Sequence, residues 1–147
     1  MKQIPNLFTL LNLVFGCIAI VYTLQNGILI TADEDGAQLL YIPEQIWMAS
    51  LFIGLAAVVD FLDGFVARFF NAVSEMGKQL DSLADVVSFG VAPGMIMYQF
   101  LRLSFAQEEN GLDVSILWLV PAFILPAAAA YRLARFNIDT TQSYSFK

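Results

Sequence analysis

Apolar residues gather into four long runs, roughly Asn6–Gln25, Ile46–Phe70, Leu83–Phe105 and Ser115–Phe136, parted by the polar segments Asn26–Gln45, Asn71–Ser82 and Ala106–Val114. A helix rises about 1.5 Å per residue and a bilayer core is about 30 Å thick, so a crossing takes about 20 apolar residues and each run suffices. The pattern predicts an all-α polytopic transmembrane bundle of about four membrane helices, forming a single domain over residues 1–147. Pro93, Gly94, Pro121 and Pro126 fall inside apolar runs, where neighbouring helices can satisfy the freed backbone groups, so kinks are expected rather than breaks. The first run is read as a retained helix and not a secretory leader. Only Lys2 precedes it, Asn12 interrupts it, and it continues apolar past Gly16 and Cys17.

Composition supports a bilayer as the solvent: 59% of the 147 residues are hydrophobic and 14% charged, with a mean hydropathy of +0.69, where soluble domains carry about 25% charged residues. Net charge is −6 and histidine is lacking. Neither nucleic-acid binding nor a His-ligated metal is therefore supported, and any metal must be held by oxygen. Cys17 is the single cysteine, so no intrachain disulfide can form. Four crossings put Lys2, Arg68, Lys78, Arg132, Arg135 and Lys147 on one side, with only Arg102 near the other. The positive-inside rule then places the N-terminus at the cytoplasm.

Four carboxylates sit where a membrane disfavours them. Asp60 and Asp63 are three residues apart, and Asp81 and Asp85 four apart, so each pair shares a helix face. The short polar link between them makes their helices antiparallel neighbours and brings both pairs to one membrane level. An ionised Asp at the centre of a membrane helix costs about 2.5–3.5 kcal/mol, and Arg68 and Lys78 cannot neutralise four Asp plus Glu75. Divalent cations would, and oxygen ligands select Mg²⁺, Mn²⁺ or Ca²⁺. Two such ions form the usual clamp for phosphoryl transfer. Gly64 and Ala67 remove bulk on the same face, Arg68 offers a fork suited to phosphate, Gly77 permits close approach, and Ser74 can donate a hydroxyl. A cation or proton transporter would also place carboxylates at membrane depth, but it has no need of Gly64, Ala67, Arg68 and Gly77 at these offsets. Glu75 and Lys78 are read as solvated loop charges.

The run from Asp60 to Asp85 resembles the signature of the CDP-alcohol phosphatidyltransferase family, D-x-x-D-G-x-x-A-R-x8-G-x3-D-x3-D, with every fixed position filled. The runs 4–9, 85–93 and 131–137 are similar to the family's serine-using branch. The resemblance implies a helical membrane enzyme that moves a phosphatidyl group from CDP-diacylglycerol to the hydroxyl of L-serine, releasing CMP. It implies two ions, Mg²⁺ or Mn²⁺, held by Asp60, Asp63, Asp81 and Asp85, with Asp85 also the candidate catalytic base. Gly64, Ala67, Arg68, Ser74 and Gly77 would line the CDP-diacylglycerol site.

Asn6 and Thr9, with Asn12 one turn deeper, would hydrogen-bond the diphosphate or ribose, or Asn6 would simply cap the first helix after Pro5. Arg132 and Arg135 would bind the serine carboxylate, or anchor the helix end as inside-facing bases do. Glycerol 3-phosphate and inositol phosphate are the alternative acceptors; each needs more cationic residues than this sequence offers. Expected partners are the two substrates, membrane lipids and a second copy in a homodimer, with no nucleic acid, at the inner or cell membrane with the site facing the cytoplasm. Because the family core has six membrane helices, the four here are expected to be its N-terminal portion, with the C-terminal part of the core missing from the sequence.

Overall fold

The computed structural model describes residues 4–25, 29–32, 38–41, 45–70, 74–106 and 113–144. Helix α1 (Ile4–Gln25) leads into two short strands, β1 (Leu29–Ala32) and β2 (Gln38–Tyr41), then α2 (Ile46–Phe69) and α3 (Glu75–Asp85). A π-helical turn over Val86–Val91 joins α3 to α4 (Ala92–Phe105). The short α5 (Ile116–Leu119) passes through a 3₁₀ turn (Val120–Phe123) into α6 (Ile124–Tyr144). Among the described residues, four helical spans are long and apolar enough to cross a membrane: Asn6–Gln25, Ile46–Phe69, Glu75–Phe105 and Ile116–Asp139. The protein is thus an integral membrane protein built on a helical bundle.

Three details depart from the sequence pattern. The third span starts at Glu75, eight residues before the apolar run at Leu83, because α3 is amphipathic and its polar face hides its first two turns; Glu75 and Lys78 therefore stand on its first turn and not in a loop. The prolines do not end spans but coincide with changes of winding. Pro93 follows the π turn and Pro121 lies in the 3₁₀ turn, both at helix-start positions where a missing N–H costs little. The long first connection carries the antiparallel pair β1 and β2, in register Leu29↔Tyr41 to Ala32↔Gln38, whose four-residue runs are too short for a periodicity to declare. The acidic residues Asp33, Glu34, Asp35, Glu44, Glu108 and Glu109, and the bases Lys2 and Lys147, lie outside the described residues.

Helix α1 is the hub, packing against α2, α3, the π turn and α4, while α6 rests on the π turn and α4. Between membrane helices there is no hydrophobic drive, since lipid is as apolar as leucine, and close approach through small residues takes its place. Accordingly the core is Ala19, Ala49 and Ala92, all fully buried, flanked by Ile20, Tyr22, Phe52, Ile53 and Ile96. At Gly16 a Cβ would lie 2.4 Å from Ser88 Oγ and 2.9 Å from its Cα, so only glycine lets α1 meet the π turn. Gly94 likewise faces Pro126 of α6. Deeper polar groups are satisfied locally: Thr23 Oγ1 donates to Ala19 O at 2.8 Å and Gln99 Nε2 to Thr23 O at 3.0 Å. Large apolar side chains such as Leu7, Leu117, Trp118 and Ile124 point outward, as a lipid-facing surface requires.

Candidate active site

Ser74 sets up the site. Its hydroxyl caps α3 by accepting from Gly77 N at 3.0 Å, which starts the helix early enough to stand Asp81 and Asp85 opposite α2. One carboxylate oxygen each of Asp60, Asp81 and Asp85 then lies within 4.8 Å of the others, a group that could hold a metal ion. Two unit negative charges at that spacing repel by about 3–4 kcal/mol at an effective dielectric of about 20, so the group calls for a cation. Asp63 sits beside it, 6% exposed. One of its oxygens accepts from the Thr9 hydroxyl, while Oδ1 is buried with no hydrogen-bond partner among the described residues. A buried carboxylate oxygen left open is costly unless something positive meets it. The donor set therefore fits a hard divalent cation.

A cavity of about 410 Å³ opens beside the acids. Helix α1 lines it with Asn6 and Thr9, α2 with Asp60, Asp63, Gly64, Ala67 and Arg68, and the start of α3 with Ser74, Gly77, Lys78 and Asp81. Phe61 and Phe65 form its apolar edge. All seven residues expected at the CDP-diacylglycerol site thus share one cavity. The glycines are there for different reasons. A Cβ on Gly64 would meet nothing within 4 Å and would project into free space, whereas one on Gly77 would lie 3.0 Å from Ser74 Oγ and 3.2 Å from Asn6 Oδ1. Lys78 also reaches Glu75 at 3.4 Å in an exposed pair.

Asp85 lies outside this cavity lining, next to the other acids, and accepts from Asn12 Nδ2 at 3.2 Å. The sequence marks Asn12 only as lying one turn deeper than Asn6 and Thr9; its side chain turns to the acid, fully buried. The readable signal was the Thr9-x-x-Asn12 spacing, which puts both residues on one face of α1, each donating to the second Asp of one acidic pair. Ser82 was also missed. Its hydroxyl accepts from Asn137 Nδ2 at 2.7 Å, tying α6 to α3 one residue past Asp81. Arg132 and Arg135, one turn before Asn137, are exposed and do not line the acidic cavity. Arg135 borders a separate depression with Tyr131 and Asp139.

The family model for CDP-alcohol phosphatidyltransferase matches residues 2–146. A CDP-diacylglycerol–serine O-phosphatidyltransferase of Helicobacter pylori strain J99 is 37% identical over 144 residues, 97% of this chain and 49% of the relative. The enzyme of the same name from Bacillus subtilis is 35% identical over 99% of this chain and 67% of its own. That from Saccharomyces cerevisiae is 46% identical over 100 residues, 68% of this chain and 32% of its own. The chain spans about half the length of the Helicobacter relatives it matches. No solved structure matches it. With every signature residue but Asp85 lining one acidic cavity and a family model matched from residue 2 to residue 146, the chain belongs to the CDP-alcohol phosphatidyltransferase family.

Proposed function

We propose that this protein transfers the phosphatidyl group of CDP-diacylglycerol to L-serine, giving phosphatidylserine and CMP. The observation that carries the reading is the cluster of Asp60, Asp81 and Asp85, with the open oxygen of Asp63 beside it, at a cavity that every signature residue but Asp85 lines. Asp60, Asp63, Asp81 and Asp85 would hold two divalent ions, Mg²⁺ or Mn²⁺. When bound, these ions neutralise the diphosphate and align it for displacement.

Each residue then has a role set by its place. Arg68 forks onto the diphosphate, Asn6 and Ser74 offer hydrogen bonds to it or to the ribose, and Thr9, whose own proton goes to Asp63, accepts from a ribose hydroxyl. Gly64 and Ala67 leave room for the nucleotide against α2, and Gly77 lets α3 approach α1. The serine hydroxyl oxygen bonds to the phosphatidyl phosphorus as the bond to the CMP oxygen breaks, and Asp85 takes the hydroxyl proton. Arg132 and Arg135, three apart on an exposed face of α6, are the cationic pair offered to the serine carboxylate. The bias of Arg and Lys toward one side of the four crossings supports this chemistry at the inner face of the cell membrane, with the lipid tails at bilayer depth and a second copy of the protein as partner.

Identification of the lipid product by mass spectrometry, with serine, glycerol 3-phosphate and inositol phosphate offered together, tests the acceptor. Phosphatidylserine is expected; a phosphorylated product in its place would overturn the serine assignment.

A further inference from the structure

We infer that Asn12 is a positioning residue that holds the Asp85 carboxylate turned toward Asp60 and Asp81, so that a divalent ion meets a preassembled set of oxygens. The inference rests on the metal-binding part of the proposed function. A buried Asn on a membrane helix is ordinarily adhesive between helices, but here adhesion is supplied without its side chain. Ser88 Oγ donates to the Asn12 backbone oxygen at 3.0 Å, and Gly16 gives the close approach one turn on. The side chain is spent on Asp85, donating from Nδ2 at 3.2 Å, while its own Oδ1 stays buried with no partner. Packing alone would be served better by the alanine found at position 19, also fully buried on α1.

The choice of an amide follows from the charges. Asp85 is the last residue of α3, at the junction with the π turn, and repulsion from Asp60 and Asp81 would swing its carboxylate away. A Lys or Arg in place of Asn12 would hold it but would neutralise it and compete with the divalent ion. A neutral N–H fixes the orientation and leaves the negative charge for the metal, as hydrogen bonds to ligating carboxylates do in metal sites generally.

Mn²⁺ titration of the purified protein, followed by electron paramagnetic resonance, reads this without turnover, with CMP release and thermal unfolding measured alongside. Asn12→Ala and Asn12→Ser should each weaken Mn²⁺ binding about 10–100-fold, the serine variant keeping a small polar group that cannot span to Asp85. Ser88→Ala, at the same helix junction but without contact to the acids, should bind Mn²⁺ as the unaltered protein does. Unchanged Mn²⁺ affinity in both Asn12 variants, or equal losses in Ser88→Ala, overturns the inference and leaves the proposed reaction standing. Mn²⁺ binding that depends on Asn12 without CMP formation supports the inference and overturns the reaction. Failure of the unaltered protein to bind Mn²⁺ overturns both.

Discussion

Of the most apolar stretch of the first span, Asn6–Gln25, 28% is buried, against 11% for the last, Ile116–Asp139, although both carry polar residues that reach α3. Helix α1 is enclosed by α2, α3, the π turn and α4, and its polar side chains turn inward onto acids: Thr9 to Asp63 and Asn12 to Asp85. Helix α6 meets the bundle along one side and leaves Arg132 and Arg135 exposed. The difference separates two kinds of polar residue in a membrane helix. Those that touch a charge are ordered by it and cannot be changed without altering the site. Those at an open helix end answer to the aqueous boundary, and a binding role there depends on what approaches them.

Substitutions can break that division, beginning with the acids. Asp85→Asn keeps shape and removes charge; CMP release should fall by at least about 100-fold, the scale of losing one electrostatic contact to a developing charge, with the thermal unfolding profile retained. Near-normal turnover would take Asp85 out of the mechanism. Next comes the cavity, where Gly64→Leu fills space that is open now. The KM for CDP-diacylglycerol should rise about 10-fold or more, whereas Gly54→Ala, also with nothing within 4 Å of an added Cβ but away from the cavity, should leave it unchanged. A silent Gly64→Leu would mean that no substrate lies against α2.

The packing of α1 predicts a loss of stability instead. Gly16→Val drives a branched side chain into Ser88, and overpacking of this kind costs about 1–3 kcal/mol, to be read as a lower midpoint of thermal unfolding in detergent. On the exposed side, Arg132→Ala should raise the KM for serine several-fold and that for CDP-diacylglycerol little; equal effects would reduce Arg132 to an anchor. Smallest of all is Glu75→Gln. It breaks an exposed i,i+3 pair with Lys78 worth about 0.2–0.5 kcal/mol, and should shift the unfolding midpoint by no more than that implies.

Hydropathy alone made the four crossings legible, because a bilayer demands long apolar runs and little else produces them. The acidic cluster was legible for a related reason: four Asp at helical spacing are expensive at membrane depth, so their spacing carries information that a soluble protein's acids would not. What stayed hidden depended on polar residues whose neighbours are far along the sequence. Residues 75–82 read as a loop because their polar side chains are divided between the cavity, which Lys78 and Asp81 line, and the exposed side that carries Glu75 and Gln79. The role of Asn12 was hidden because its partner lies 73 residues away, and no local pattern joins them. The link from Asn137 to Ser82 spans 55 residues and was invisible for the same reason. The π turn at Val86–Val91 has no compositional mark, being the winding that lets Ser88 reach Asn12 while Gly90 and Gly94 receive α6.

Transfer of a phosphatidyl group to serine at the acidic cavity, as proposed above, would depend on divalent ions. CMP release by the purified protein from CDP-diacylglycerol in mixed micelles, measured with and without serine and with Mn²⁺, Mg²⁺ or a chelator, tests it most directly. Release should require serine and a divalent ion together and vanish in Asp85→Asn. Release that persists undiminished in chelator, or serine- and metal-independent behaviour of the unaltered protein and Asp85→Asn alike, would contradict it.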